Sequence, residues 1–394
     1  MVNENQVAVI KVIGVGGAGN NAVNRMIEAN VQGVEFVVIN TDAQVVSASK
    51  AETKLIIGKQ ICGGLGAGAN PDVGRQAAIE SIKEIDKILS NADMVFIAAG
   101  MGGGTGTGAA NIIARAAKEH DILVVSIITK PFRFEGRIRN QNAENGIKLL
   151  KESVDSLIIV SNDRLLEIIG GVPLKDSFKE ADNILRQGVQ SITDLIAVPA
   201  LINLDFADIR TLLKNKGQAL FGVGIGSGED KAIEAANKAI TSPLLEAEFN
   251  GATNAIVNVT GGSTMTLYDA NDAVDIIRQA AGKDINIIFG VSVNDNLEDE
   301  MIVTVIATGF DDDSNINRKV NSFKNNNYNF SSTRDKKFSN NYNSYKEAHN
   351  FRKDNYSYEN KNINNNNFYQ NKTVSKKKEN NFFQNYLNNL KYKK

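Results

Sequence analysis

Gly102-Gly103-Gly104-Thr105-Gly106-Thr107-Gly108 holds five glycines in seven residues, between an apolar run from Met94 to Ala99 and a helical run that opens at Ala109. It reads as a strand-to-helix turn. Glycine admits positive φ and carries no Cβ, so successive N–H groups can converge on an anion where a helix start adds its positive dipole end. A flexible linker would scatter glycine and serine without strand on one side and helix on the other. The run is therefore expected to bind phosphate.

Outward from it, apolar strands alternate with helical periodicity. Strands are read at Val7 to Ile13, Phe36 to Asn40, Met94 to Ala99, Ile122 to Thr129 and Ser156 to Ser161, and helices at Asn20 to Ala29, Pro71 to Leu89, Ala109 to Glu119 and Glu135 to Lys151. Near-continuous apolar strands imply a parallel sheet covered on both faces, with ligands at the strand C-terminal ends. A long helix follows, with Phe178, Ala181, Leu185, Val189, Ile192 and Ile196 at helical spacing along one stripe. Strands at Gly217 to Ile225, Ala255 to Val259, Ile285 to Val293 and Met301 to Ala307, with helices at Asp230 to Ile240 and Asp269 to Ala281, form a second, smaller α/β set. The expected fold is α/β, with a Rossmann-like parallel sheet over 1–177, a connecting core helix over 178–202, a C-terminal α/β domain over 203–313 and a tail over 314–394.

Charge divides the 394 residues at the same place. Residues 1–313 hold 27 Lys plus Arg against 40 Asp plus Glu, and residues 314–394 hold 17 against 5, so net −13 and +12 sum to the chain's −1. The tail has 24 Asn in 81 residues and neither Gly nor Pro, a composition that cannot bury a core, and disorder is expected there. Cys62, the single cysteine, excludes an intrachain disulfide, and no basic n-region leads into an apolar stretch at the N-terminus. A cytoplasmic protein is expected. With only His120 and His349, neither a histidine triad nor a histidine-rich metal site is expected, and His120 reads as a helix C-cap or surface residue.

A second glycine loop, Gly14-Val15-Gly16-Gly17-Ala18-Gly19, follows the first strand and leads into Asn20-Asn21. It fits the dinucleotide fingerprint G-x-G-x-x-G, and Asp42 stands where a ribose-binding acid is expected, so a nicotinamide or flavin enzyme is one reading. Two glycine loops suit a triphosphate better. Taken with Asn40-Thr41-Asp42, Pro131 to Arg139 and Asn203-Leu204-Asp205-Phe206-Ala207-Asp208, the chain from Val7 to Phe310 resembles the bacterial cell-division branch of the tubulin-like GTPases. That resemblance implies a GTPase that assembles head to tail into filaments of the division ring, with GTP held by one subunit and hydrolysed against the next. It also implies Mg2+ held mainly through the phosphates, and no metal site of protein ligands alone.

Carried over residue by residue, the resemblance places Gly17, Ala18, Gly19, Asn20 and Asn21 at the nucleotide and Gly104, Thr105 and Gly106 around its phosphates. Ala18 replaces a glycine common in the family, and an ordinary backbone conformation is expected for it. Glu135 and Arg139 match the ribose and nucleotide-edge contacts, although their i, i+4 spacing also describes a surface ion pair. Asp182, with Asn162 and Phe178, matches the base pocket. A carboxylate accepts from guanine N1–H and the 2-amino group together, a donor pair adenine lacks. From the residues alone, Phe178 equally reads as core and Asp182 as a complement to the helix dipole. Asn203, Asp205 and Asp208 match the activating loop that orients the attacking water, while Asp205 and Asp208 also have the spacing of an N-cap and a first-turn acid. A scaffold that binds nucleotide without turnover therefore stays open.

Partners are expected on the same ground. The resemblance implies self-assembly and docking of other division proteins through the tail, so that the membrane is reached only indirectly and no specific nucleic acid is bound. The tail departs from the family's proline-containing end. Phe382, Phe383, Tyr386, Leu387 and Leu390 would share one face of a short helix, and a tail shaped only by AT-rich coding is the alternative.

Overall fold

Strands that are apolar without alternation need cover on both faces. In the computed structural model, which describes residues 8–169, 173–197, 205–245, 249–282 and 285–310, they have it. The first half runs β1 (Ile10–Val15), α1 (Gly16–Glu28), β2 (Glu35–Asn40), α2 (Ala43–Ala48), β3 (Thr53–Ile56), α3 (Lys59–Cys62), α4 (Pro71–Glu80), α5 (Ile82–Leu89), β4 (Met94–Gly100), α6 (Thr105–Glu119), β5 (Leu123–Lys130), α7 (Arg137–Lys151) and β6 (Ser156–Ser161). There follow α8 (Asn162–Ile169), α9 (Leu174–Ala197) and α10 (Phe206–Leu213). The second half is β7 (Gly217–Ser227), α11 (Lys231–Ile240), β8 (Asn254–Gly261), α12 (Leu267–Ala281), β9 (Asn286–Val293) and β10 (Glu300–Thr308).

Among the described residues the strands form one ten-stranded sheet in the order β3-β2-β1-β4-β5-β6-β7-β10-β8-β9. It is parallel from β3 through β7, and β10 runs antiparallel between β7 and β8. Strand β7 belongs to both halves. Its start pairs parallel with β6, Gly217 beside Ser156 and Ala219 beside Ile158, and from Leu220 to Ser227 it pairs antiparallel with β10. No helix of the described residues is long and apolar enough to cross a membrane.

Two apolar layers sandwich the first half. One joins Val12, Phe96 and Val125 to Val23 and Met26 of α1, to Leu185, Val189 and Ile192 of α9 and to Ile209, Leu212 and Leu213 of α10. Phe221, Ile256 and Ile306 of the second half lie in the same layer as α9. The other layer packs Ile97, Val124 and Ile128 against Ala77, Ile85, Ala110, Ile113 and Leu150. A third covers the second half with α11 and α12.

Departures from the sequence reading have local causes. The helix expected over Pro71 to Leu89 breaks at Ser81, whose hydroxyl accepts from Gly58 N at 3.1 Å while its backbone turns to φ −101°, ψ 21°. Helices α1 and α6 begin inside the glycine runs rather than after them. Helix propensity argues against this at ~1 kcal/mol per glycine, but close packing overrides it. A Cβ on Gly108 would lie 2.0 Å from the Pro71 carbonyl of α4. Strand β3 is only four residues long and escaped notice, as did α2, α3 and α8. Val7 and the whole of 311–394 lie outside the described residues, and with them the expectations for the tail.

Candidate functional site

Helix starts normally satisfy their first N–H groups with a side-chain cap. Neither α1 nor α6 has a capping side chain or an acid in its first turn; their N-cap positions are Val15 and Gly104. Four N–H groups at each start are thus left for a ligand, with the positive dipole end behind them. The two starts abut. A Cβ on Gly16, where φ is +72°, would sit 2.8 Å from Gly106 N, whereas Gly17 and Gly103 border open space. Ala18 is helical, packed against Gly100, and is not among the residues with positive φ, as expected.

A polar lattice ties these loops to β2. Thr41 and Thr105 share a hydroxyl hydrogen bond of 2.6 Å, Thr107 Oγ1 accepts from Gly102 N at 2.8 Å, and Asn40 Nδ2 donates to Asn20 Oδ1 at 2.9 Å. Asn20 is fully buried, yet its Nδ2 has no partner; Asn21, beside it, is exposed. An unpaired buried donor costs about 1–3 kcal/mol, so such an atom marks a place where a further acceptor belongs. Asn40 and Thr41 were not singled out as site residues in the sequence, nor was a third glycine run, Gly63-Gly64-Leu65-Gly66-Ala67-Gly68-Ala69-Asn70. Its backbone is left-handed at Gly63, Gly64, Gly66, Gly68 and Ala69, it presses Ala67 and Asn70 against Gly104, and it leaves Leu65 89% exposed. Glycine density was the available signal.

Asp182 lies on α9 with Oδ2 accepting from Arg25 Nε of α1 at 3.0 Å. Burial pushes its carboxyl up to about 6, and Arg25 opposes that rise. Asn162, the first residue of α8, is buried with Oδ1 unpartnered. Phe178 is not core. It is 41% exposed, with its edge against Phe132 at 5.3 Å between centroids, and Phe132 stacks on Phe134. Glu135 accepts from Phe132 N at 2.8 Å and pairs with Arg139 at 2.9 Å, and the Arg139 side chain packs beside Gly102. The ion pair foreseen as an alternative is thus formed, and it stands at the glycine run. Arg25 and Phe132 were missed; no local pattern links Arg25 to a carboxylate 157 residues away.

Asp205 and Asp208 are elsewhere. Asp205 caps α10, accepting from Ala207 N at 3.4 Å, and Asp208 lies exposed in its first turn. Through Arg210 this helix bonds Asp121, beyond the C-terminal end of α6, whereas Gly104 and Thr105 stand at the α6 start. Fifteen helical residues at ~1.5 Å each separate the two ends by about 22 Å. Asn203 lies outside the described residues. Asp42, the candidate ribose acid of a dinucleotide enzyme, is engaged instead as the cap of α2, with Gln44 N and Val45 N donating to it. Among the described residues no group of three or more His, Cys, Asp or Glu could hold a metal ion.

The first half therefore presents open helix starts, hydroxyls and unpaired amides that suit a phosphorylated, hydrogen-bonding ligand. Comparison with known proteins agrees. The Tubulin/FtsZ family GTPase domain matches residues 9–170, and the FtsZ family C-terminal domain matches residues 217–311. An empty FtsZ dimer from M. jannaschii is similar at 41% identity and a TM-score of 0.74, covering 77% of this chain and 88% of that one. CetZ2 from Haloferax volcanii, solved as a GTPγS-bound protofilament, shares the fold at 20% identity and a TM-score of 0.65, over 80% of this chain and 99% of that one.

Proposed function

Since the chain belongs to the Tubulin/FtsZ family of GTPases, we propose that it binds and hydrolyses GTP and polymerises head to tail into the filaments of a cytoplasmic division ring. One observation carries the polymer reading. The phosphate cradle and the carboxylates of α10 stand at opposite ends of α6, so a GTP held at Gly104 to Gly106 is out of reach of the same subunit's Asp205 and Asp208. A second subunit stacked on the first brings them together. Such a contact is heterologous and, where rotation does not close it, open-ended. Exposed Leu65, Phe134 and Ile138 beside the nucleotide loops give an incoming subunit apolar surface to cover.

In this reading, backbone N–H groups of Gly17 and Ala18 and of Gly104, Thr105 and Gly106 donate to phosphate oxygens, with the Thr105 hydroxyl beside them, and Gly19 closes the turn against Ala98. Asn20 and Asn21 adjoin the nucleotide, Asn20 with the orphaned Nδ2. Glu135 and Arg139 hold the ribose side. Asp182 accepts from guanine N1–H and the 2-amino group, Asn162 supplies its unpaired Oδ1, and Phe178 offers a ring face. Mg2+, held mainly through the phosphates, would supply the positive charge that offsets an acidic body. The next subunit's Asn203, Asp205 and Asp208 orient the attacking water, and release of phosphate weakens the junction that made hydrolysis possible. Docking of other division proteins, and through them the membrane, is assigned to the tail.

GTP turnover per subunit tests the shared site. It should rise with protein concentration through an assembly threshold, and a rate that stays flat from very dilute to concentrated protein would sink the idea. Asp208→Ala should keep GDP binding and lose about 100-fold in turnover. Undiminished turnover in that variant would remove Asp208 from its role, whereas assembly of the parent without phosphate release would leave Asp205 a helix cap and Asp208 a first-turn acid in a filament scaffold.

A further inference from the structure

Helix α6 is gripped at its far end by the helix that carries Asp205 and Asp208. Asp121, one residue past the α6 C-cap His120, adopts φ +54°, a left-handed conformation that Asp and Asn tolerate better than most residues. Its groups are divided between two cations of α10. Arg210 Nη2 donates to the Asp121 carbonyl and to Oδ2, both at 2.9 Å, and Lys214 Nζ donates to Oδ1 at 3.0 Å. Arg210 lies in α10 and Lys214 is its C-cap residue.

A second attachment lies beside the first. Lys118, in the last turn of α6, reaches Asp155 Oδ1 at 2.6 Å and Asn215 Oδ1 at 3.4 Å. Asp155 is fully buried and also accepts from Val124 N and Asn215 N, so the connector from α10 to β7 is pinned to the same place. Lys118, Arg210 and Lys214 thereby gather at the negative end of the α6 dipole. Ion pairs at an exposed Asp121 add little to stability. Apolar burial of Ile209, Leu212 and Leu213 already holds α10 to the core. What the Asp121 fan adds is direction, because one carboxylate and one carbonyl fix how α10 lies against the end of α6.

We propose that Asp121 is a positioning residue for GTP hydrolysis: by clamping Arg210 and Lys214 it sets the height and angle at which Asp205 and Asp208 are presented to the neighbouring subunit's phosphates. It rests on the catalytic reading of those two carboxylates. The clamp also joins that catalytic edge to α6, one of the two helices whose starts cradle phosphate, so the two half-sites of a subunit stand at opposite ends of α6. Asp121 touches neither substrate nor water.

The experiment uses the full chain as Asp121→Asn, which keeps a residue suited to positive φ, as Arg210→Met, and as the double variant, beside Asp208→Ala. kcat at saturating protein, KM for GTP, GDP affinity and sedimentation with a slowly hydrolysed GTP analogue are measured for each. Each single variant is expected to lower kcat by about tenfold with KM, GDP affinity and sedimentation unchanged. The double variant should be no slower than the worse single one, since both remove one interaction. kcat within about twofold of the parent in both singles, losses that multiply in the double, or sedimentation that falls in step with kcat would each overturn the proposal. Failure of Asp208→Ala to reduce turnover would instead remove the catalytic reading beneath it, while a loss there with none at Asp121 counts against Asp121 alone.

Discussion

Gly103 and Gly224 are alike in chemistry and opposite in use. Gly103, in the first half, has nothing within 4 Å of where a Cβ would stand, and the helix start next to it has no cap. Gly224, on β7 in the second half, would drive a Cβ to 1.9 Å from the Ala235 carbonyl of α11, and Gly222 and Gly226 meet Ala239 and Lys231 the same way. Gly103 leaves a surface open where a helix starts, and Gly224 brings a helix down onto a strand. Individual helix starts differ in the same way. Those of α1 and α6 are bare, whereas Asp205 caps α10 and Thr266 with Asp269 forms a capping box on α12. The bare starts of α1 and α6, beside open surface at Gly17 and Gly103, await a ligand; the capped starts of α10 and α12 are finished without one.

Substitution and pH can break this contrast. The largest effect is expected from Gly224→Ala, which should cost about 3 kcal/mol in chemical denaturation because the obstacle is helix backbone rather than a movable side chain; a loss below 1 kcal/mol would deny that β7 and α11 need glycine to meet. A smaller effect is expected at Asp182. Its carboxyl is raised to about 6, chiefly by burial, so it takes up a proton as pH falls through that value and ceases to be a pure acceptor. GDP affinity should then be level above pH 7 and fall by about tenfold per unit well below 6, and an affinity level down to pH 5 would remove Asp182 from base recognition. The smallest effect is expected from Gly103→Ala, which should change stability by less than about 0.5 kcal/mol while weakening GDP binding, as measured by nucleotide titration. Equal losses in stability and binding would place Gly103 with Gly224.

The parallel half of the sheet was legible because Met94 to Ala99 and Ser156 to Ser161 are apolar on both faces, a pattern that survives without knowledge of neighbours. The helix starts were not. Gly19 and Gly108 stand inside helices because β4 and α4 come too close there for a Cβ, which propensity cannot register. In the candidate site, the glycine runs and the Asp205 to Asp208 spacing could be read along the chain. The link from Arg25 to Asp182 could not, being made by tertiary packing of α1 on α9. Phe178 sat on a helical stripe that reads as core, and only its exposed edge against Phe132 separates it from Leu185 and Val189. Gly63 to Asn70 was passed over because its shape comes from left-handed backbone, which leaves no hydrophobic period to count.

Strand β7 carries one consequence beyond the joining of two halves. It covers the flank of β6 at Ser156, Leu157 and Ile158, the start of a strand whose four central residues are apolar. A chain that stops short of Gly217 has lost more than its second half: it has a bare, sticky border of unpaired N–H and C=O groups, a template on which other chains can add. For this protein, keeping out of aggregates depends on finishing synthesis.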